Sequence, residues 1–200
     1  MRAGRVAAAL LVIAGLSAAG TGVSAHRYDE YLHASRIAIA PGAIRIEMSL
    51  TPGMAVADAV IGDIDTNRDG ALSAAERQAY AQRVLDGVSL RLDDALVPLT
   101  LMESSVPAVG ALRGGDSAIT MVVDARLPRP ADGAHRVSFR NANAAHGAVY
   151  LANALLPEDE RVAITGMTHA VDQSGLTVAY TLRPERSWSQ MLFGLLGGRS

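Results

Sequence analysis

Short segments in which apolar and polar residues alternate recur along most of the chain, and they constrain its fold more than any other feature. The first two, 36–39 and 43–48, flank Pro41-Gly42 and predict a β-hairpin. Further segments follow from residue 88 onward, with turn-forming residues between them. They are 88–92, 96–102, 118–125, 135–140, 148–151, 161–165 and 176–182. Strands at this spacing without intervening helices predict a mainly β protein, an antiparallel β-sandwich.

The alternation is interrupted in the segment 54–86. There Val56, Val60 and Ile64 recur at every fourth position, which places one apolar stripe on a short helix. A second apolar face with helical spacing follows after a polar segment. The sequence therefore predicts a helix–loop–helix inserted into a single β domain that spans 26–185.

The polar segment between the two helices, 65–76, carries oxygen-bearing side chains at alternate positions. Calcium takes about six to eight oxygen ligands, and a chain that wraps the ion supplies them from side chains that point inward. Gly70 permits the sharp turn, and Glu76 offers both oxygens of its carboxylate. The predicted ligands are Asp65, Asn67, Asp69, Ala71 through its backbone carbonyl, Ser73 directly or through a water, and Glu76.

This segment resembles the calcium loop of the EF-hand family, with Leu72 at the family's apolar position. The resemblance implies calcium as the cofactor, with a dissociation constant of about 10⁻⁵ to 10⁻³ M for an extracellular module. EF-hands usually come in pairs, and the sequence has no second loop. An unpaired loop implies either a protein partner or homodimer that contacts it through Leu72, or a scaffold within the chain that holds it. It also implies that the ion has a structural role. The alternative is an Asx-rich turn followed by a capping box from Ser73 to Glu76.

A wider resemblance covers most of the chain after its first residues. The segments that carry it are 25–32, 50–53, 65–76, 138–141 and 149–155. They are similar to the exported domain that precedes the membrane part of HupE/UreJ-type bacterial proteins. In that family a membrane region linked to nickel or hydrogenase accessory roles follows. We carry no transport activity over to this chain.

The first 25 residues have the features of a secretory signal peptide. Two arginines precede an apolar run, 6–19, and small residues stand before Ala25 at the predicted cleavage site. The run is shorter than the roughly 20 residues of a spanning helix, which disfavours the alternative of a retained membrane anchor. We expect a periplasmic or secreted protein with no transmembrane segment in its mature form. The short apolar tail, 186–200, either packs on the domain, contacts a membrane surface or stays mobile.

Composition excludes several classes of function. The net charge is -2 and the acidic and basic residues are interspersed, so no basic surface for nucleic acid is predicted. The chain has no cysteine, and its stability must come from core burial and from any bound ion. No sequence motif of a hydrolase, metalloprotease or nucleotide-binding enzyme occurs, and we predict no enzymatic activity. A hydrolase whose active site is assembled from residues far apart in the sequence is the open alternative.

Cleavage after Ala25 would make His26 the first residue of the mature chain. A terminal amine and imidazole chelate copper when a second histidine approaches, which makes a periplasmic copper- or nickel-binding protein the alternative function. The other histidines are His33, His135, His146 and His169. They show no ligand spacing in the sequence, so scattered structural histidines are the competing interpretation.

Overall fold

The computed structural model describes residues 28–127 and 130–185, and this part of the chain is mainly β. The strands are β1 (Tyr31–Ala40), β2 (Ala43–Pro52), β3 (Val88–Leu92), β4 (Ala95–Leu96), β5 (Thr100–Ser105), β6 (Ile119–Arg126), β7 (Gly133–Asn141), β8 (Ala148–Ala154), β9 (Val162–His169) and β10 (Gly175–Leu182). The helices are α1 (Met54–Ile64), α2 (Ala74–Asp86) and α3 (Val109–Arg113), and a 3₁₀ turn covers Ala145–Gly147. Among these helices none combines the length and apolarity needed to cross a membrane. The predicted signal peptide and the tail lie outside the described residues.

The predicted hairpin is confirmed as β1 and β2, which pair in antiparallel register through Ile37 with Ile46 and Ile39 with Ile44. These isoleucines are almost completely buried, and the residues between them are more exposed. The alternation read from the sequence is therefore the alternation between core and outer face. Each fully buried isoleucine contributes about 1.5–3 kcal/mol of hydrophobic stabilisation.

The strands form two five-stranded sheets. The first sheet has the order β5-β6-β2-β1-β8, and the second has the order β4-β3-β7-β10-β9. All pairs are antiparallel except β1 and β8, which run parallel from Tyr31 beside Ala148 to Ile37 beside Ala154. The expectation of a wholly antiparallel arrangement is wrong at this pair, because alternation marks the buried face of a strand and carries no information about its direction.

One hydrophobic cluster joins both sheets and the helices. It contains Ile46 from the first sheet, Leu90 and Val178 from the second, and Val60 and Leu85 from α1 and α2. The two helices follow β2 and precede β3 along the chain, as the change of spacing predicted. Their apolar faces therefore contribute to the same core as the sheets.

The region between β3 and β6 differs from the prediction. The segment 96–102, expected as one strand, is divided into the end of β4 and the start of β5. Pro98 lies at the division and has no N–H to donate to a strand partner. Helix α3, Val109–Arg113, was not predicted because five residues are too few to establish a helical period.

Candidate metal-binding loop

The predicted calcium loop connects two helix ends that are well defined. Helix α1 ends at Ile64, and the Asp65 N–H still donates to the Ile61 carbonyl at 2.8 Å. Helix α2 starts after Ser73, whose hydroxyl accepts from the Glu76 N–H while the Glu76 carboxylate accepts from the Ser73 N–H. This capping box satisfies backbone donors that a helix start would otherwise leave without partners.

Three alternate side chains of the loop accept hydrogen bonds from the loop's own backbone. The carboxylate oxygens of Asp65 accept from the Asp69 N–H at 3.2 Å and from the Gly70 N–H at 2.9 Å. The Asn67 amide oxygen also accepts from Asp69, at 2.9 Å, and Asp69 accepts from the Ala71 N–H at 2.8 Å. Such short-range bonds from Asx side chains fix tight turns. They draw the backbone of the loop around the oxygens of residues 65, 67 and 69.

Backbone angles explain the glycine in the loop. Gly70 has a φ of 82°, in the left-handed region that L side chains rarely adopt, and Arg68 has a φ of 60°. A Cβ built on Gly70 would meet no atom within 4 Å. Glycine is favoured here by its conformation and not by crowding.

The Glu76 carboxylate connects the two ends of the loop. One of its oxygens accepts from the Thr66 N–H at 2.9 Å and from the Thr66 hydroxyl at 3.2 Å. The other accepts from the Ser73 N–H at 3.0 Å and from the Ser73 hydroxyl at 2.8 Å. These donors, the Ser73 N–H first among them, lower the pKa of Glu76 to about 2. Glu76 is therefore a carboxylate, not a carboxylic acid, throughout the neutral range.

The acidic side chains of the loop have no cationic partner. Asp65 is only 6 % exposed and Glu76 only 9 %. In the described part of the chain, no arginine or histidine nitrogen lies within 4 Å of an oxygen of Asp65, Asp69 or Glu76. A buried carboxylate without a counter-charge is unfavourable even when it is hydrogen-bonded. The loop thus has negative charge that a bound cation would offset.

The donor set has the chemistry that calcium prefers, because every predicted ligand atom is an oxygen. Across residues 28–127 and 130–185, however, no three His, Cys, Asp or Glu side chains converge closely enough to form a ready metal-binding group. The Glu76 oxygens contact the N–H and hydroxyl groups of Thr66 and Ser73. An ion held by Glu76 would have to replace some of these hydrogen bonds.

The helices that flank the loop are anchored to the sheets by polar contacts that sequence reasoning did not find. The Tyr80 hydroxyl of α2 lies 2.7 Å from the Tyr31 hydroxyl of β1, in a buried position. The Asn143 amide donates to the Val84 carbonyl near the end of α2 at 2.8 Å. These partners are separated by 49 and 59 residues along the chain, so no local pattern could have indicated them.

Asp58 and Asp63, both on α1, contact side chains outside the loop. Asp58 pairs with Arg113 of α3 at 2.7 Å, and the Asp63 carboxylate lies 2.7 Å from His146 Nε2. The Arg83 guanidinium also donates to the Asp63 carbonyl. These contacts join α1 to neighbouring segments, and each exposed pair contributes little stability.

A buried polar network continues from Asn143 toward β1. The Asn141 oxygen accepts two bonds from Asn143, and the Asn141 amide donates to His33 Nδ1 at 3.1 Å. His33 Nδ1 is therefore the acceptor, and the proton is on Nε2, which has no partner among the described residues. His33 is 3 % exposed, and burial lowers its pKa to about 4.

The remaining described histidines are bound to other protein groups. His135 lies 2.7 Å from Asp93, His146 contacts Asp63, and His169 contacts the Ala152 carbonyl at 2.9 Å. They form no common cluster within the described residues. His26, the central residue of the copper or nickel alternative, lies outside these residues.

The assignment of the loop rests on its residues and their geometry. Comparison with protein-family models, with curated proteins and with solved structures yields no match to this chain. The resemblances to EF-hands and to the exported domain of HupE/UreJ-type proteins stay predictions from the sequence.

Proposed function

We propose that this chain is an exported calcium-binding protein that holds one ion in a single EF-hand loop. The ligands are those predicted from the sequence, Asp65, Asn67, Asp69, Ala71, Ser73 and Glu76. The ion serves mainly as a structural brace between α1 and α2. In this proposal the fold is a β-sandwich with the helix–loop–helix inserted at 54–86.

The charge of the loop is the observation that carries this proposal. Asp65 and Glu76 are buried, with no cationic partner among the described residues, in a loop whose backbone is already turned around its side-chain oxygens. The capped-turn alternative explains Ser73 and Glu76, which form the capping box. It does not explain why two further carboxylates, Asp65 and Asp69, lie in the same loop with no counter-charge in the described part of the chain.

The sandwich architecture is supported by the shared core. Residues that alternate with exposed ones along the strands of both sheets belong to one hydrophobic cluster. Such clusters arise when two sheets pack their apolar faces together. The helix–loop–helix joins this cluster through residues of both α1 and α2.

A structural role follows from where the apolar groups of the helices lie. Leu72 is 7 % exposed and belongs to the core cluster of its own chain. This supports the scaffold as the substitute for a second loop, in preference to a homodimer through Leu72. Val60, Ile64 and Val84 are buried as well. A sensor hand instead opens to expose an apolar groove when calcium binds.

Calorimetric titration of the exported, chelator-treated protein tests the proposal. We expect one calcium per chain, with a dissociation constant of about 10⁻⁵ to 10⁻³ M. Glu76→Gln should weaken binding at least about tenfold, because it removes a charge and a bidentate ligand. Glu103→Gln on β5 makes the same charge change at an exposed position and should leave affinity unchanged.

Copper and nickel are titrated in separate experiments, which test the alternative of a copper- or nickel-binding protein that uses His26. Equal calcium affinity in the Glu76→Gln variant and the native protein would remove the loop as the site. Tight copper or nickel binding without calcium binding would favour the alternative function.

A further inference from the structure

The second sheet carries a hollow of about 410 Å³ that the proposed calcium site does not use. It lies on the outer face of β3, β7, β10 and β9. The buried residues Leu90, Val137 and Val178 are on the opposite face of these strands, toward the core. Its polar lining residues are two arginines, one histidine and four residues with hydroxyl side chains. These are Arg91, Arg140, His169, Ser89, Ser138, Thr168 and Thr177.

Strand register brings these side chains side by side. On β3 and β7, Ser89 is paired with Arg140 and Arg91 with Ser138, so the two arginines are diagonal neighbours. Ser138 is in turn paired with Thr177 of β10, at 3.4 Å between hydroxyl oxygens. Thr177 is paired with Thr168 of β9. The hydroxyls form a row across three strands that ends beside the arginines.

Among the described residues neither arginine has a carboxylate in direct contact. No acidic oxygen there lies within 4 Å of the Arg91 or Arg140 guanidinium, and Arg91 donates to the Asp94 carbonyl at 2.7 Å. The Ser174 hydroxyl, at 2.7 Å, is the main cause of the lowered pKa of Asp172, and Arg140 contributes to it through its field without direct contact. Like charges on diagonal positions of one sheet face repel each other. An anion between them would relieve that repulsion.

A hollow on the first sheet provides an internal comparison. It has nearly the same volume, about 390 Å³, and it also contains an arginine, Arg36. Arg36 is neutralised by Glu47 at 2.8 Å, and the rest of the lining is four apolar residues with Ser49 and Thr120. The two hollows therefore differ in the number of arginines without a carboxylate in contact and in the number of hydroxyl donors, and not in size.

We propose that the hollow on the second sheet binds a tetrahedral oxyanion, a phosphate or sulfate group, through Arg91 and Arg140. Guanidinium groups match the geometry of such anions, and each N–H donates a charge-assisted hydrogen bond to an anionic oxygen. The hydroxyls of Ser89, Ser138 and Thr177 supply further donors on the same face. The site is independent of the calcium loop.

Nuclear magnetic resonance of the exported protein in calcium-free buffer tests this inference. Inorganic phosphate, sulfate, acetate and chloride are titrated at matched ionic strength, and the amide signals of Ser138, Thr168 and Thr177 are followed. We expect saturable shifts with phosphate or sulfate, at millimolar concentrations, and smaller shifts with acetate. Phosphate and sulfate are compared to identify the preferred group.

Variants of arginines in the two hollows show which hollow binds phosphate. Arg140→Gln and Arg91→Gln should each weaken phosphate binding about tenfold, whereas Arg36→Gln in the other hollow should not change it. All three positions are exposed, and circular dichroism verifies that each variant is folded. Linear shifts of equal size with all four anions, or equal loss in Arg36→Gln, would overturn the proposal.

Discussion

The helix–loop–helix end of the molecule and the outer faces of the sheets place their charged and polar groups in different surroundings. On the sheets, Glu47, Asp94 and Asp124 are each paired with an arginine in an exposed position. In the loop, Asp65 and Glu76 are buried, and their partners among the described residues are N–H and hydroxyl donors. Exposed pairs contribute little because water already solvates both partners, whereas a buried polar group depends on each partner it has. Changes at the helix–loop–helix end should therefore alter the free energy of unfolding more than changes on the outer faces of the sheets.

The largest effect in this comparison is expected from protonation of His33, beside the helical end. Its pKa is about 4 in the folded protein and about 6.5 in an unfolded chain, so the unfolded state binds the proton more readily. Stability should fall as the pH decreases from about 6.5 to about 4, by up to about 3 kcal/mol, and then level off. Urea unfolding at several pH values measures this, and the imidazole signals of His33 give its pKa directly.

His135 on the second sheet supplies the contrast. The hydrogen bond with Asp93 raises its pKa, so its contribution is present below the unfolded value and is lost as the pH rises through the raised value. Two results would contradict the prediction for His33. One is a His33 pKa near 6.5 in the folded protein, and the other is an equal loss of stability at low pH in the His33→Gln variant.

A smaller effect is expected at the junction of the two regions. Asn143→Ala removes the donor to the Val84 carbonyl and the partner of Asn141, and should destabilise the protein by about 1–3 kcal/mol. Asn153→Ala, at an exposed position of β8, should change stability by less than about 0.5 kcal/mol. Denaturant midpoints compare the two variants. Equal values would mean that the Asn143 contacts do not anchor α2.

The smallest effect is expected on the face of the first sheet. Arg45 makes a bidentate contact with Asp124 at 2.8 and 3.0 Å, and its side chain is largely exposed. Arg45→Gln should lower the stability only slightly, and high salt should abolish even this small difference between the variant and the native protein. Thermal unfolding at low and high ionic strength measures it. A loss larger than that of Asn143→Ala would reverse the ranking of the two regions.

Sequence patterns predicted those elements whose own residues carry a period. The β1–β2 hairpin follows from alternation on both sides of Pro41-Gly42, and α1 follows from the fourfold spacing of Val56, Val60 and Ile64. The parallel partner of β1 and the short helix α3 were missed. Strand direction and a five-residue helix leave no periodic trace in a sequence.

The candidate site could be proposed from the sequence because its proposed ligands lie within one short segment, 65–76. Its anchors, such as the contact between Tyr31 and Tyr80, join distant parts of the chain and become visible only in the fold. The bonds of Glu76 to Thr66 and Ser73, which compete with an ion, also depend on coordinates.

We propose that calcium stabilises the folded protein by neutralising this loop without opening it. The free energy of unfolding in urea tests this, measured with chelator and with calcium at a hundredfold excess over its dissociation constant. We expect a calcium-dependent gain of about 2.7 kcal/mol in the native protein, a gain of at most about 1.4 kcal/mol in Glu76→Gln at the same calcium concentration, and no rise in the binding of a hydrophobic dye. Equal stability with and without calcium, or an undiminished gain in Glu76→Gln, would rule out this role of the loop.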